Sequence, residues 1–320
     1  MPAALTTLIT TPTFARHSTR PWQILEEAGA GPLRPYADAA LPTDELVKYA
    51  AEADALIVGM DQITAEVMDA APRLKVIAKH GVGVDTIDVA AAHARGILVV
   101  CAPGSNSRAV AEYTFGLLLS AARSLTASHT AVAAGGWPKL FGPELHGRTL
   151  GVVGFGRIGR LLAGYARAFG MELLAHDPYV ADADMRAQGA EPAALDTLLA
   201  CADAVSLHTP PDPSGAPLLD RARLAAMKPG AILVNAARGG LVDELALADL
   251  LSSGHLGAAA LDAFSTEPLP ADHPLREAPR TLLTSHMAAC TPEANQAMGS
   301  MVAEDVVRVL TGRTPQHAVN

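Results

Sequence analysis

Short apolar runs along the chain alternate with longer stretches in which apolar residues recur at helical spacing. Ala55-Leu56-Ile57-Val58, Lys75-Val76-Ile77-Ala78 and Ile97-Leu98-Val99-Val100 have the length and near-continuous apolarity of buried strands. The stretches between them, 44–53, 64–71 and 88–95, read as helices. Strands apolar at every position, separated by helices, predict a parallel sheet covered on both faces. The alternation breaks at 107–134, an Ala/Leu-rich region read as one or two helices and closed by the turn Gly135-Gly136-Trp137-Pro138. It resumes with strands Thr149-Leu150-Gly151-Val152-Val153, Glu172-Leu173-Leu174-Ala175, Ala204-Val205-Ser206-Leu207, Ala231-Ile232-Leu233-Val234 and Ala258-Ala259-Ala260-Leu261, and ends on a helix over 292–310. The fold class expected is α/β, with two Rossmann-like, doubly wound parallel-sheet domains and a cleft between them.

Composition narrows the function. A chain of 320 residues fits about two domains. With 50% hydrophobic and 18% charged residues it has enough apolar surface for a large core, which excludes a disordered protein. The formal net charge of −9 argues against a nucleic-acid partner, which calls for a basic face. Cys101, Cys201 and Cys290 stand far apart without metal-ligand spacing, so neither a disulfide framework nor a metal site is expected. The first fifteen residues lack the basic start and unbroken apolar centre of a secretory signal, and no apolar run is long enough to span a membrane. A cytoplasmic globular protein is the expectation.

Gly154-Phe155-Gly156-Arg157-Ile158-Gly159 is a G-x-G-x-x-G motif. The spacing alone is weak in a chain with 27 glycines, but this one follows a strand and opens an amphipathic stretch over 158–169. In that context the first glycine permits a tight turn, the second a close approach of backbone to a pyrophosphate, and the third tight helix–strand packing. The helix N-terminus adds N–H donors and partial positive charge. Asp177, at the end of the next strand, is placed to accept hydrogen bonds from the adenosine ribose and to repel a 2′-phosphate, so NAD is favoured over NADP.

Three further polar groups each follow a predicted strand: Arg238 after 232–234, Asp262 after 258–261 and His286 after 282–284. Glu267 lies in Phe264-Ser265-Thr266-Glu267-Pro268. The C-terminal edge of a parallel sheet is where ligands bind. A guanidinium binds a carboxylate through paired hydrogen bonds and polarises a neighbouring carbonyl. An imidazolium donates a proton to a carbonyl oxygen, and a glutamate on its other nitrogen fixes the tautomer and favours the charged ring. Taken singly, each residue reads as well as a surface or core group.

Together with the glycine motif, Ala237-Arg238-Gly239-Gly240-Leu241-Val242-Asp243, Phe264-Ser265-Thr266-Glu267-Pro268 and Ser285-His286-Met287-Ala288-Ala289 resemble the D-isomer-specific 2-hydroxyacid dehydrogenases. His80-Gly81-Val82-Gly83-Val84-Asp85 is similar to that family's substrate-carboxylate loop, Ala102-Pro103-Gly104-Ser105-Asn106 to its interdomain hinge, and Leu207-His208-Thr209-Pro210 to its cofactor-cleft segment. The resemblance runs from about residue 55 onward and is nearest the phosphoglycerate dehydrogenase-like and hydroxypyruvate/glyoxylate reductase branch. It implies a discontinuous substrate domain (1–102 with 288–320) and an NAD-binding domain over 103–287, whose helical region at about 107–147 forms a homodimer. It implies Arg238, Glu267 and His286 as the catalytic set. The implied cofactor site takes in Gly154, Gly156, Arg157, Ile158, Gly159, Asp177, His208, Thr209, Pro210, Ala236, Arg238, Asp262, His286 and Ala288. Substrate would meet Lys79, Val82, Gly83, Arg238 and His286.

The substrate's third substituent is less defined. Lys79 stands where phosphoglycerate dehydrogenases carry an arginine, but Gly59 and Met60 stand where they place another. Lys79 and His80 beside the loop suggest a short polar group, as in hydroxypyruvate or glyoxylate, whereas Met60 suits an apolar pocket. 3-Phosphohydroxypyruvate remains a further option. Ser285 and Ala288 replace a frequent Pro and Gly of the family, small changes that leave the mechanism intact. The rival readings are another enzyme built on the same cofactor unit and an NAD-sensing binding protein of the corepressor type.

Overall fold

The computed structural model describes residues 5–33 and 41–320. The chain divides into two compact units, one comprising residues up to 106 together with 289–320, the other 107–288.

In the first unit the described strands are β1 (Leu5–Ile9), β2 (Ala30–Leu33), β3 (Ala55–Val58), β4 (Val76–Lys79) and β5 (Leu98–Val100). They form a parallel sheet in the order β2-β1-β3-β4-β5. Helices α1 (Arg20–Glu27), α2 (Thr43–Ala50), α3 (Ala65–Asp69) and α4 (Val89–Ala94) connect them. Leu8, Leu56, Val58, Ile77 and Val99 pack with Leu46 of α2, Val67 of α3 and Ala92 of α4 on one face. The last helix of the chain (Pro292–Leu310) lies against α1 and β4. Within it Asp305, 1% exposed, accepts the backbone N–H groups of Gln316 (2.7 Å) and His317 (3.1 Å) of the segment that follows, and residues 318–319 pair with the edge strand β5.

The second unit opens with α5 (Ser107–Arg123) and α6 (Leu125–Ala133), where the Ala/Leu-rich region was expected to be helical. There follow β6 (Thr149–Val153), α7 (Arg157–Ala168), β7 (Glu172–His176), α8 (Asp182–Ala187), β8 (Glu191–Pro192), α9 (Leu195–Cys201), β9 (Ala204–Leu207), α10 (Arg221–Ala226), β10 (Ile232–Asn235), α11 (Glu244–Ser252), β11 (Ala258–Leu261) and β12 (Thr281–Leu283). The helix Pro292–Leu310 is then α12. The sheet is parallel, in the order β12-β11-β10-β9-β6-β7-β8. Its central strands are mostly apolar because both faces are covered. Along β10, Ile232 and Val234 join a cluster with α5 and α7, while Leu233 joins the opposite one with α9 and α11. The chain leaves β6 for β7 on one side and returns to β9 on the other, a topological switch point of the kind that opens a crevice at the strand C-termini.

Candidate active site

The glycine motif lies at that switch point, between β6 and α7. Gly154 has φ +91°, and a Cβ on it would come within 2.5 Å of the His208 carbonyl oxygen. One on Gly159 would come within 2.2 Å of the Gly154 carbonyl, so this glycine lets the helix start close against the strand. Gly156 differs: its φ of −77° is ordinary, and a Cβ there would meet nothing within 4 Å. Open space over that backbone, at the first turn of a 12-residue helix that begins with Arg157 and Ile158, fits a pyrophosphate. Asp177, just past β7, accepts the Phe155 N–H at 2.8 Å through Oδ2 and the Tyr179 N–H at 2.9 Å through Oδ1. It therefore holds the loop that carries the glycine motif. His208-Thr209-Pro210 follow β9. His208 Nε2 lies 2.9 Å from Ser206 Oγ, and burial lowers the ring's pKa to about 4, so it is neutral near pH 7.

Across the same sheet, β10, β11 and β12 are neighbours, and Arg238, Asp262 and His286 follow their C-terminal ends. His286 Nδ1 lies 2.8 Å from Glu267 Oε2 and 3.0 Å from Oε1. Glu267 Oε1 also accepts the Phe264 N–H at 2.9 Å. Burial raises the Glu267 pKa, but the His286 hydrogen bond, the Phe264 N–H and the charges of His286 and Arg238 outweigh it, leaving the carboxyl below its ordinary value. Arg238 is anchored at its backbone, where its carbonyl accepts Asn235 Nδ2 at 2.7 Å, and its Nη1 donates to the Ala237 carbonyl at 2.7 Å. Ala236 opens this turn, half-buried.

Asp262, expected beside the nicotinamide, holds the loop between β12 and α12. It is 1% exposed, beneath the loop that carries His286. Its carboxylate accepts Thr284 Oγ1 (2.7 Å), Met287 N–H (3.0 Å) and the N–H of buried Ala288 (2.8 Å), and its carbonyl accepts the His286 N–H (2.9 Å). These bonds hold His286 at φ +52°, a left-handed conformation that a residue with a Cβ rarely adopts unaided.

In the first unit the expected substrate residues divide. Val82 is 40% exposed on the loop after β4, with Gly83 beside it. Lys79 is 7% exposed, and its ammonium donates to the Gly59 carbonyl and to Thr86 Oγ1, at 3.3 Å for the latter. Those bonds brace the loop from below, with the side chain largely buried. His80 is 8% exposed against Phe14, and burial lowers its pKa to about 4. The two groups that suggested a polar substituent are thus turned inward, while Met60 at the end of β3 is 56% exposed.

Sequence reasoning passed over Glu244, Thr284 and Asn235, which hold the loops carrying Glu267, His286 and Arg238. Their signal was weak, since each reads as an ordinary helix-start, strand-end or turn residue.

Comparison with known proteins bears on this site. Residues 115–288 match the family description "D-isomer specific 2-hydroxyacid dehydrogenase, NAD binding domain". The chain is 48% identical to D-3-phosphoglycerate dehydrogenase of Mycobacterium leprae over 279 residues, which is 86% of this chain and 53% of that protein. It thus spans about half the length of that relative. Glyoxylate reductase of Thermofilum pendens is 41% identical over 285 residues, 87% of this chain and 84% of the other. Among solved structures, NAD-dependent formate dehydrogenase from Staphylococcus aureus in complex with NAD superposes with a TM-score of 0.87 at 29% identity, covering 99% of both chains.

Proposed function

Because the chain belongs to the D-isomer-specific 2-hydroxyacid dehydrogenase family, we propose that it is an NAD-dependent oxidoreductase reducing a small 2-oxo acid to a D-2-hydroxy acid. The observation that carries this reading is the Glu267–His286 pair, 2.8 Å apart, beside the strand ends that also bear Arg238. Bound NADH supplies the hydride. Gly154, Gly156, Arg157, Ile158 and Gly159 form its pyrophosphate cradle, Asp177 its ribose acceptor, and His208, Thr209, Pro210, Ala236 and Ala288 further walls of its site. His286 uses Nδ1 on Glu267, so Nε2 is the nitrogen that hands a proton to the substrate carbonyl oxygen. Glu267 keeps the ring oriented and offsets its charge. Arg238 binds the substrate carboxylate and polarises the carbonyl. Val82 and Gly83 offer backbone N–H groups to the same carboxylate, and Asp262 supports His286 from below.

The inward placement of Lys79 and the exposure of Met60 favour an unphosphorylated acid such as glyoxylate or hydroxypyruvate over 3-phosphohydroxypyruvate. A cytoplasmic location is part of this reading; among the described residues no helix is long and apolar enough to cross a membrane, and none of the three cysteines forms a disulfide. Leu125, Trp137, Leu140 and Phe141 around α6 are 46–96% exposed, an apolar stretch that suits a homodimer contact.

A panel of 2-oxo acids with NADH, followed at the cofactor absorbance, tests the reading. Turnover of at least one, falling about 100-fold or more in His286→Ala with NADH binding retained, is the expected result. Turnover of none would shift the assignment to the NAD-sensing binding protein.

A further inference from the structure

We propose that Glu244 is a positioning residue for this reaction, a carboxylate that holds the turn 264–267 and through it the Glu267–His286 pair. The proposal rests on the functional reading above and extends it to a group that touches neither cofactor nor substrate.

Glu244 begins α11, where an acidic residue is commonplace as a partner for the helix dipole. Here the cap is already provided: Asp243 accepts the Ala246 N–H at 3.0 Å. The Glu244 side chain is instead buried, 8% exposed, and faces a turn 21 residues further along the chain. Its Oε1 accepts both the backbone N–H of Ser265 (2.7 Å) and the Ser265 hydroxyl (3.0 Å). Its Oε2 lies 3.3 Å from Nε2 of His273, whose Nδ1 accepts the Leu275 N–H at 3.3 Å. A buried carboxylate is costly unless its lone pairs meet donors, and this one accepts two hydrogen bonds and has the His273 ring nitrogen beside it.

The consecutive amides of the turn go to different carboxylates. The N–H of Phe264 donates to Glu267 itself, at 2.9 Å, and that of Ser265 to Glu244. Fixing Ser265 therefore fixes the amide that orients Glu267, whose remaining oxygen meets His286. Gly239, directly after Arg238, backs onto the same turn so closely that a Cβ there would lie 1.8 Å from the Phe264 carbonyl carbon. The segment from Arg238 to Glu244 thus grips the turn at two points, and the Arg238 and Glu267 loops are held in register. On its outer side the turn borders a cavity of about 470 Å³ lined by Gly240, Asp243, Ser265, Thr266 and His273. Hydrogen bonds to Glu244 restrain Ser265 on that side, while Phe264 packs into the core.

The experiment compares Glu244→Ala, Glu244→Gln and Ser265→Ala in the full chain. In Glu244→Ala, kcat for 2-oxo acid reduction is expected to fall about tenfold or more, as for a misplaced catalytic pair, while the KM for NADH, whose proposed phosphate and ribose contacts Glu244 does not touch, stays within about twofold. Glu244→Gln, whose amide oxygen still accepts both Ser265 bonds, is expected to restore kcat to within about threefold of the parent. The carboxyl of Glu267, followed by carbon-13 NMR, is expected to titrate at higher pH in Glu244→Ala, because its partners no longer hold it. This readout needs no turnover, so it tests the positioning role even if no 2-oxo acid is reduced and the proposed function falls. An unchanged Glu267 titration with unchanged kcat in Glu244→Ala would overturn the proposal, as would equal loss in the Ala and Gln variants. Should the Ala variant fail to fold, combining Glu244→Gln with Ser265→Ala decides: non-additive effects on kcat support the coupling, and strictly additive ones refute it.

Discussion

Two glycines of one motif make opposite predictions. Gly154 is required by the fold, since its φ is +91° and the His208 carbonyl occupies the space a Cβ needs. Gly154→Ala is expected to destabilise the protein by about 1–3 kcal/mol. Gly156 is not required by the fold, because its backbone is ordinary and its surroundings empty, so the proposed pyrophosphate is what a side chain there would displace. Gly156→Val is expected to leave the melting temperature nearly unchanged and to weaken NADH binding about tenfold or more; thermal denaturation and NADH titration separate the two. A parent-like NADH affinity in Gly156→Val would remove the pyrophosphate from this loop. Glu267 makes a prediction about pH. Its folded-state pKa lies below the ordinary value of 4.5, so the pair's stabilisation is fully present above that value and is lost as pH falls through the depressed one. Glu267→Gln removes the negative charge beside His286, and the pH optimum for reduction is expected to move to lower pH. An identical rate profile would contradict the pairing. Arg238, Glu267 and His286 stood out in the sequence only together, through the motifs they share with the family. Glu244 did not, because its partner lies 21 residues away and nothing local marks the contact.

Among the elements, the loop from β12 into α12 depends most on one buried side chain. Asp262 satisfies Thr284, Met287 and Ala288 while its carbonyl holds His286. Asp262→Ala strands those donors and is expected to cost about 2–4 kcal/mol. It is also expected to lower kcat steeply, since His286 loses the support for its left-handed backbone. Denaturant unfolding and steady-state kinetics check both, and full activity in a destabilised variant would separate Asp262 from catalysis. The strands of the second unit were legible because a parallel sheet covered on both faces makes unbroken apolar runs. β1 was hidden because Thr6 and Thr7 interrupt its apolar run, although Thr7 is fully buried and β-branched residues suit strands. β8 has two residues, one of them proline, and leaves no pattern to find.

For the molecule as a whole, the α/β class followed from alternation alone, whereas the inward turn of Lys79 and His80 did not, because burial of a charged or titratable side chain is a tertiary property. The exposed Trp137 and Phe141 carry the proposed dimer contact: a parent that sediments as a dimer is expected to shift towards monomer in Trp137→Ser with Phe141→Ser, and a parent-like profile in that variant, or a monomeric parent, would remove the contact from this stretch. The division of the chain has a further consequence for synthesis. The 107–288 unit is one continuous segment, whereas the other needs α12 against α1 and β4 and residues 318–319 along β5. A ribosome therefore releases everything required for the later unit before the last helix of the earlier one. Until then the nascent sheet keeps an apolar flank and a bare edge uncovered, a window in which a chaperone has something to hold.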